Sequence, residues 1–121
     1  METGGFKGRA RSISKSALYR QCREFLGIHE NDCVSEYGMT ELSSQFYAVG
    51  SKALFRGPAW TRTIECGGLL RHFDLANRGS VMAVQTEDRG RIRPGGFELL
   101  GRARKAELRG CSLSYEEFIR Q

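Results

Sequence analysis

Three short blocks carry side chains suited to holding a nucleotide: Tyr37-Gly38-Met39-Thr40-Glu41, Thr86-Glu87-Asp88 and Gly101-Arg102. The first follows a short strand candidate, Asp32 to Glu36. A strand that ends in a glycine turn delivers side chains to a sheet edge, where ligands sit in many α/β folds. There Tyr37 can stack on a purine, and Thr40 can offer its hydroxyl to a phosphate. Glu41 can give a carboxylate to a magnesium ion. The plainer alternative is a strand end carrying solvated polar residues. In the second block Asp88 closes the run Ser80-Val81-Met82-Ala83-Val84-Gln85-Thr86, where a carboxylate can accept both hydroxyls of a ribose. Its alternative is an aspartate opening a turn before Gly90. In the third, Arg102 stands directly after Gly101 and can bind ribose oxygens or phosphate. Its alternative is a surface arginine.

The elements that would position these residues follow from turn and cap signals. Residues 1–12 read as a loop. Ser14 caps a helix running to about Leu26, with Leu18, Cys22, Phe25 and Leu26 at helical spacing and Gly27 as the stop. Asp32 to Glu36 reads as a strand leading into the Tyr37 block. Ala53–Phe55, Arg62–Glu65, Leu69–Phe73 and Ser80–Thr86 are further strand candidates. The turn Arg93-Pro94-Gly95-Gly96 folds residues 81–100 into a hairpin closed by Phe97-Glu98-Leu99-Leu100. Ser114 and Glu117 fit a capping box, so a short helix is expected from Ser114 to Arg120. The expected class is α/β: an N-terminal helix and strand, a β-rich meander, then a short C-terminal helix.

Composition narrows the function classes. With 121 residues there is room for one small domain. Apolar residues make up 40% and charged residues 27%, as in an ordinary globular protein. No stretch approaches the roughly 18 apolar residues that a membrane-crossing helix needs. No secretory leader opens the chain, so a cytoplasmic location is expected. The net charge is +5, with Lys and Arg scattered from Lys7 to Arg120. Nucleic-acid binding is disfavoured, because no aromatic-rich RNA motif or basic helix stands out. Cys22, Cys33, Cys66 and Cys111 form no C-x-x-C pair, which argues against zinc and a disulfide framework. Most of these thiols read as buried small hydrophobes.

Taken together, the blocks resemble those of the adenylate-forming enzymes, the acyl-CoA synthetase and ligase superfamily. Within it the chain is most similar to the LuxE-type acyl-protein synthetases of bacterial bioluminescence. The resemblance is carried by Glu2-Thr3-Gly4-Gly5-Phe6-Lys7-Gly8-Arg9, Glu36-Tyr37-Gly38-Met39-Thr40-Glu41-Leu42-Ser43-Ser44-Gln45 and Phe73-Asp74-Leu75-Ala76-Asn77. Thr86-Glu87-Asp88, Gly96-Phe97-Glu98-Leu99-Leu100-Gly101-Arg102 and Glu107-Leu108-Arg109-Gly110-Cys111-Ser112-Leu113 extend it over most of the chain.

The resemblance implies a ligase that uses ATP and Mg²⁺ to join a long-chain fatty acid to AMP. The acyl group then passes to a cysteine of the enzyme, and from there to an acyl-reductase partner. It implies that Gly4 and Gly5 line the adenine, Tyr37 and Gly38 lie beside it, and Thr40 meets the phosphate. Glu41 would hold magnesium, Asp88 would bind the ribose with help from Arg102, and Cys111 would accept the acyl group. Arg109 would lower the Cys111 thiol pKa. The alternative for Cys111 is an idle thiol.

The chain departs from the family at several points. The Ser/Thr/Gly-rich phosphate loop has no counterpart in these residues, and neither has the upstream half of a fatty-acid pocket. The stretch between Trp60 and Phe73 is short. After Arg102, Ala103-Arg104-Lys105-Ala106 stands where the wider superfamily has an acidic hinge. Residues 1–121 are therefore expected to form the C-terminal portion of an adenylating domain, the last third of it, completed by an upstream synthetase chain. The competing expectation is a non-catalytic remnant that serves as a small partner-binding α/β domain. Incubated alone with ATP, magnesium and a long-chain fatty acid, the chain is expected to release no pyrophosphate above a Glu41→Ala control. Release above that control overturns the expectation of an incomplete site.

Overall fold

The computed structural model describes residues 1–3 and 13–103. The expected helix at Ser114 to Arg120, together with Gly4, Gly5 and Cys111, lies outside the described residues. Within them the chain is mixed α/β and strand-rich, with one α-helix and two curled sheets.

Strand β1 (Glu2–Thr3) pairs in parallel with β2 (Val34–Tyr37), and helix α1 (Lys15–Leu26) lies between them in sequence. Parallel neighbours need a crossover connection, and the helix supplies it. The Ser14 side chain accepts the Ala17 backbone N–H at 3.2 Å, which satisfies one of the free donors at the helix start. Gly27 ends the helix in a left-handed conformation, as its position in the sequence leads one to expect. The apolar stripe, however, is only partly used. Phe25 and Leu26 are exposed, and the buried residue of the helix is Tyr19. Its hydroxyl meets the Ser35 hydroxyl at 2.8 Å and Glu2 Oε1 at 3.3 Å, so one polar anchor ties the helix to both strands.

The strand leading to Tyr37 starts later than the sequence suggests. Glu30–Asp32 form a 3-10 turn, closed by hydrogen bonds from Asp32 to His29 and from Cys33 to Glu30. The Glu30 carboxylate receives the Ser51 backbone N–H and hydroxyl, which lowers its pKa. Strand β3 (Phe46–Val49), which the sequence pattern leaves unmarked, runs antiparallel to β2.

The second sheet is the expected meander: β4 (Thr61–Cys66), β5 (Leu69–Asp74), β6 (Ala83–Arg93) and β7 (Gly96–Arg102), each antiparallel to the next. Gly67 and Gly68 form the two-residue link between β4 and β5. Both have positive φ (61° and 80°), a requirement of the tight turn whose twist matches the flanking strands. Strand β6 begins at Ala83 rather than Ser80. The Asn77 amide binds the Val81 carbonyl, and the Met82 carbonyl accepts from Asp74 N–H, so that stretch is spent on a loop.

Ala53–Phe55 does not form a strand either. Instead Phe55 and Phe97 exchange backbone hydrogen bonds, and so do Tyr47 and Arg56. These two bridges join the edge of β3 to β7 and draw the sheets around one core. Tyr37, Leu42, Phe46, Ala48, Phe55, Leu70 and Phe97 fill it. Gly90 faces that core from β6. A Cβ there would stand 2.6 Å from three atoms of the fully buried Leu70 side chain. Gly90→Ala is therefore expected to destabilise the fold by about 1–3 kcal/mol through overpacking. Urea unfolding checks it, and an unchanged midpoint contradicts the close approach.

Candidate functional site

The two sheets meet at a chain of polar side chains, one from each of five strands. Alternation along β2 turns Ser35 and Tyr37 inward. Alternation along β5 turns Leu70, His72 and Asp74 to the same interior. The Tyr37 hydroxyl lies 2.9 Å from Asp88 Oδ2 on β6 and 3.2 Å from His72 Nε2. His72 Nδ1 lies 2.9 Å from the Thr63 hydroxyl on β4. Arg102 and Asp88 are cross-strand partners on β7 and β6, and Arg102 Nε reaches Asp88 Oδ1 at 3.2 Å. Exposure grades along the chain. His72 is sealed, Tyr37 is buried, and the Asp88 and Arg102 side chains keep 16% and 35% of their surface open. The carboxylate thus stands where core meets solvent.

Burial raises the Tyr37 phenol pKa well above its usual value, and the neighbouring Asp88 charge adds to the effect. The phenol remains protonated and donates. Burial also lowers the His72 imidazole to about 4, partly opposed by Asp88, so the ring is neutral near pH 7.

The ring of Tyr37 is not offered to a base. It packs against His72, Phe97, Phe55 and Phe46 with centroid separations of 5.3, 5.5, 5.8 and 6.1 Å. Aromatic contacts at such distances stabilise a core beyond the area they bury. Stacking of a purine on Tyr37 requires this cluster to open. Its hydroxyl is the part that enters the polar chain.

Thr40 and Glu41 form a second group. They occupy the turn after β2, where Leu42 N–H bonds the Met39 carbonyl. Both are exposed, and the Thr40 hydroxyl donates to Glu41 Oε2 at 3.1 Å. The following loop is clamped by the buried Asp74. Its carboxylate accepts from Ser43 N–H, Ser44 N–H, the Ser44 hydroxyl and Ala76 N–H, at 2.8–3.0 Å. Asn77 donates to the Glu41 carbonyl at 2.8 Å. Strand register separates the two groups. Leu69 pairs with Arg89 beside Asp88, whereas Asp74 and Asn77 lie at the other end of β5. His72, which meets the same Tyr37 hydroxyl as Asp88, lies two residues from Asp74 along β5, about 7 Å at the usual strand rise. A single ligand touching both groups has to lie along the sheet. Gly38 continues β2 into the turn, and a Cβ there would meet Gln45 Cγ at 3.3 Å.

Beside the second group opens a cleft of about 410 Å³, lined among others by Ser43, Ser44, Tyr47, Arg56, Pro58 and Trp60. Trp60 and Tyr47 are both well exposed, and Trp60 Nε1 donates to the Ser44 hydroxyl at 3.0 Å. These aromatic faces are free in a way that Tyr37 is not.

Among the described residues no three His, Cys, Asp or Glu side chains gather as a metal cluster. Glu41 offers a single exposed carboxylate whose Oε2 already accepts the Thr40 hydroxyl, whereas magnesium is held by one or two carboxylates together with substrate phosphates. The described thiols differ from one another: Cys33 is buried, Cys22 intermediate and Cys66 exposed. Burial raises the Cys33 pKa.

Sequence reasoning grouped Tyr37, Thr40, Glu41, Asp88 and Arg102 around one nucleotide; the structure joins Tyr37, Asp88 and Arg102 by contact and pairs Thr40 with Glu41 instead, while His72 and Thr63 were missed and Asp74 and Asn77 carried no assigned role. A period-two reading of Leu69–Asp74 carries the signal, since it puts His72 and Asp74 on the same face as Leu70.

The His72 shift has a definite sign. The unfolded imidazole titrates near 6.5 and the folded one near 4. Between those values the unfolded chain binds more protons. The contribution is therefore complete above pH 6.5 and is lost as pH falls to 4, by at most about 3 kcal/mol. Urea midpoints from pH 7 to 4 are expected to fall more steeply for the native chain than for His72→Gln. Parallel pH profiles contradict the buried neutral imidazole. Among the described residues no helix is long and apolar enough to cross a membrane. Comparison of the chain with family models, with curated proteins and with solved structures returned no match.

Proposed function

We propose that this chain carries the AMP-binding side of an adenylate-forming site, one that activates a long-chain fatty acid for transfer to a thiol. The observation that supports this reading most is the junction of three distant blocks. Tyr37 and Asp88, 51 residues apart, are hydrogen-bonded, and Asp88 in turn holds Arg102. The block order read from the sequence calls for such a meeting, whereas a turn aspartate and a surface arginine do not.

In this reading Asp88 accepts the ribose hydroxyls and Arg102 fixes the carboxylate while adding positive charge for the nucleotide. Thr40 donates to the α-phosphate from its turn, and Glu41 would hold Mg²⁺, which supplies charge neutralisation on the phosphates when bound. The fatty-acid carboxylate attacks the α-phosphorus of ATP, and pyrophosphate leaves. The Cys111 thiolate then attacks the acyl carbon, forming a thioester and expelling AMP. The resemblance names an acyl-reductase as the consumer of that thioester.

A second reading, a non-catalytic partner-binding domain, draws support from the exposed Phe25, Leu26, Val49, Trp60, Val81 and Met82. The two readings separate on ligand binding. A non-hydrolysable acyl-AMP mimic is expected to raise the melting temperature of the chain. Asp88→Asn, nearly equal in shape, is expected to weaken that binding about tenfold, as for loss of a hydrogen bond to a charged group. A mimic that binds both proteins equally sinks the adenylate reading and leaves the partner-binding one.

A further inference from the structure

His72 is fully buried, yet both of its ring nitrogens are engaged. The direction of every hydrogen bond in its chain follows from the Asp88 end. A carboxylate accepts and does not donate, so the proton on Tyr37 Oη is committed to Asp88 Oδ2. Having spent its one proton, the phenol oxygen can meet His72 Nε2 only as an acceptor. Nε2 must therefore carry the imidazole hydrogen. Nδ1 is then bare and takes the Thr63 hydroxyl proton. In the opposite tautomer Tyr37 would turn its proton to Nε2, and Asp88 Oδ2 would lose its donor. The tautomer of a buried histidine thus decides whether Asp88 is held at one oxygen or at two.

Every element around the ring agrees with this arrangement. From β2 comes Tyr37, from β4 Thr63, and from β6 Asp88, with Arg102 of β7 beyond it. Phe46 and Phe97 close the ring faces at centroid distances of 5.0 and 5.4 Å and bring no charge.

The geometry points to His72 as a positioning residue. Held by Thr63 at Nδ1, its Nε2–H sets the Tyr37 hydroxyl onto Asp88 Oδ2 while Arg102 holds Oδ1, so the carboxylate presents its remaining lone pairs to a vicinal diol. This role rests on the adenylate reading above, in which that diol belongs to a ribose. It involves no contact between His72 and the ligand.

The test couples His72 to the diol. Glutamine places an amide N–H close to the Nε2 position, and leucine fills the site without a donor. The acyl-AMP mimic is titrated into the native chain, His72→Gln and His72→Leu, and so is its 2′,3′-dideoxy counterpart. His72→Gln is expected to stay within about twofold of the native affinity, and His72→Leu to lose about five- to tenfold, the scale of one lost hydrogen bond. The loss should vanish for the dideoxy mimic, since no diol remains for Asp88 to hold. An equal loss with both mimics reduces His72 to a packing role and overturns the proposal. A native chain that binds neither mimic refutes the adenylate reading, and this role with it. Should His72→Leu fail to fold, long-range ¹H–¹⁵N NMR of the native chain decides the matter. The Nε2–H tautomer supports the role, and the Nδ1–H tautomer overturns it.

Discussion

Tyr37 ties the two sheets together alongside their backbone bridges, and it faces two environments at once. Its ring belongs to the aromatic core, and its hydroxyl ends in a polar chain that reaches the surface at Asp88. A buried phenol needs a partner, because an unpaired hydroxyl in an apolar interior costs more than its hydrogen bond returns in water. That requirement fixes where β2 stands relative to β5 and β6. It also explains why His72 and Asp88 tolerate an interior face shared with Leu70 and Phe97. Among the described residues no buried side-chain nitrogen or oxygen lacks a hydrogen-bond partner.

A second clamp governs the loop after Tyr37. Asp74 takes two backbone N–H groups from Ser43 and Ser44, as a carboxylate does at the start of a helix, but here it orders a loop. Asn77 then fixes the Glu41 carbonyl. The exposed Thr40–Glu41 pair therefore stands on a braced turn. A phosphate or a magnesium ion held there would meet side chains whose backbone is already ordered, so little conformational entropy remains to be lost on binding. The short segment Phe73-Asp74-Leu75-Ala76-Asn77 has a structural purpose on these grounds alone: it ties the meander to the turn that carries the candidate phosphate and metal ligands.

Polar groups therefore fall into two clusters, one running from His72 through Tyr37 and Asp88 to Arg102 and the other around Asp74 at the end of β5, with a cleft beside the second. The proposed adenylate reading assigns the ribose to the Asp88–Arg102 end and phosphate chemistry to the Thr40–Glu41 end. Trp60 and Tyr47, unlike Tyr37, present exposed aromatic faces beside the cleft.

Local chemistry settled much of this chain in advance. A serine cap and a left-handed glycine bounded the helix, two glycines closed one hairpin and Pro94-Gly95 the other, and the order of blocks grouped Tyr37, Thr40, Glu41, Asp88 and Arg102, of which packing joins Tyr37, Asp88 and Arg102 by contact. Such signals act within a few residues, so the sequence alone contains them. What it could not reveal was which polar side chains would share the interior. Phe46–Val49 became a strand, and Ala53–Phe55 shrank to a bridge, because β2 and β7 offered them backbone partners. Tyr37 turned its ring to the core, and His72 and Asp74 were drawn inside, because distant strands supplied the donors and acceptors that burial demands. Pairing between residues dozens of positions apart is a property of the packed chain, and only tertiary structure decides it.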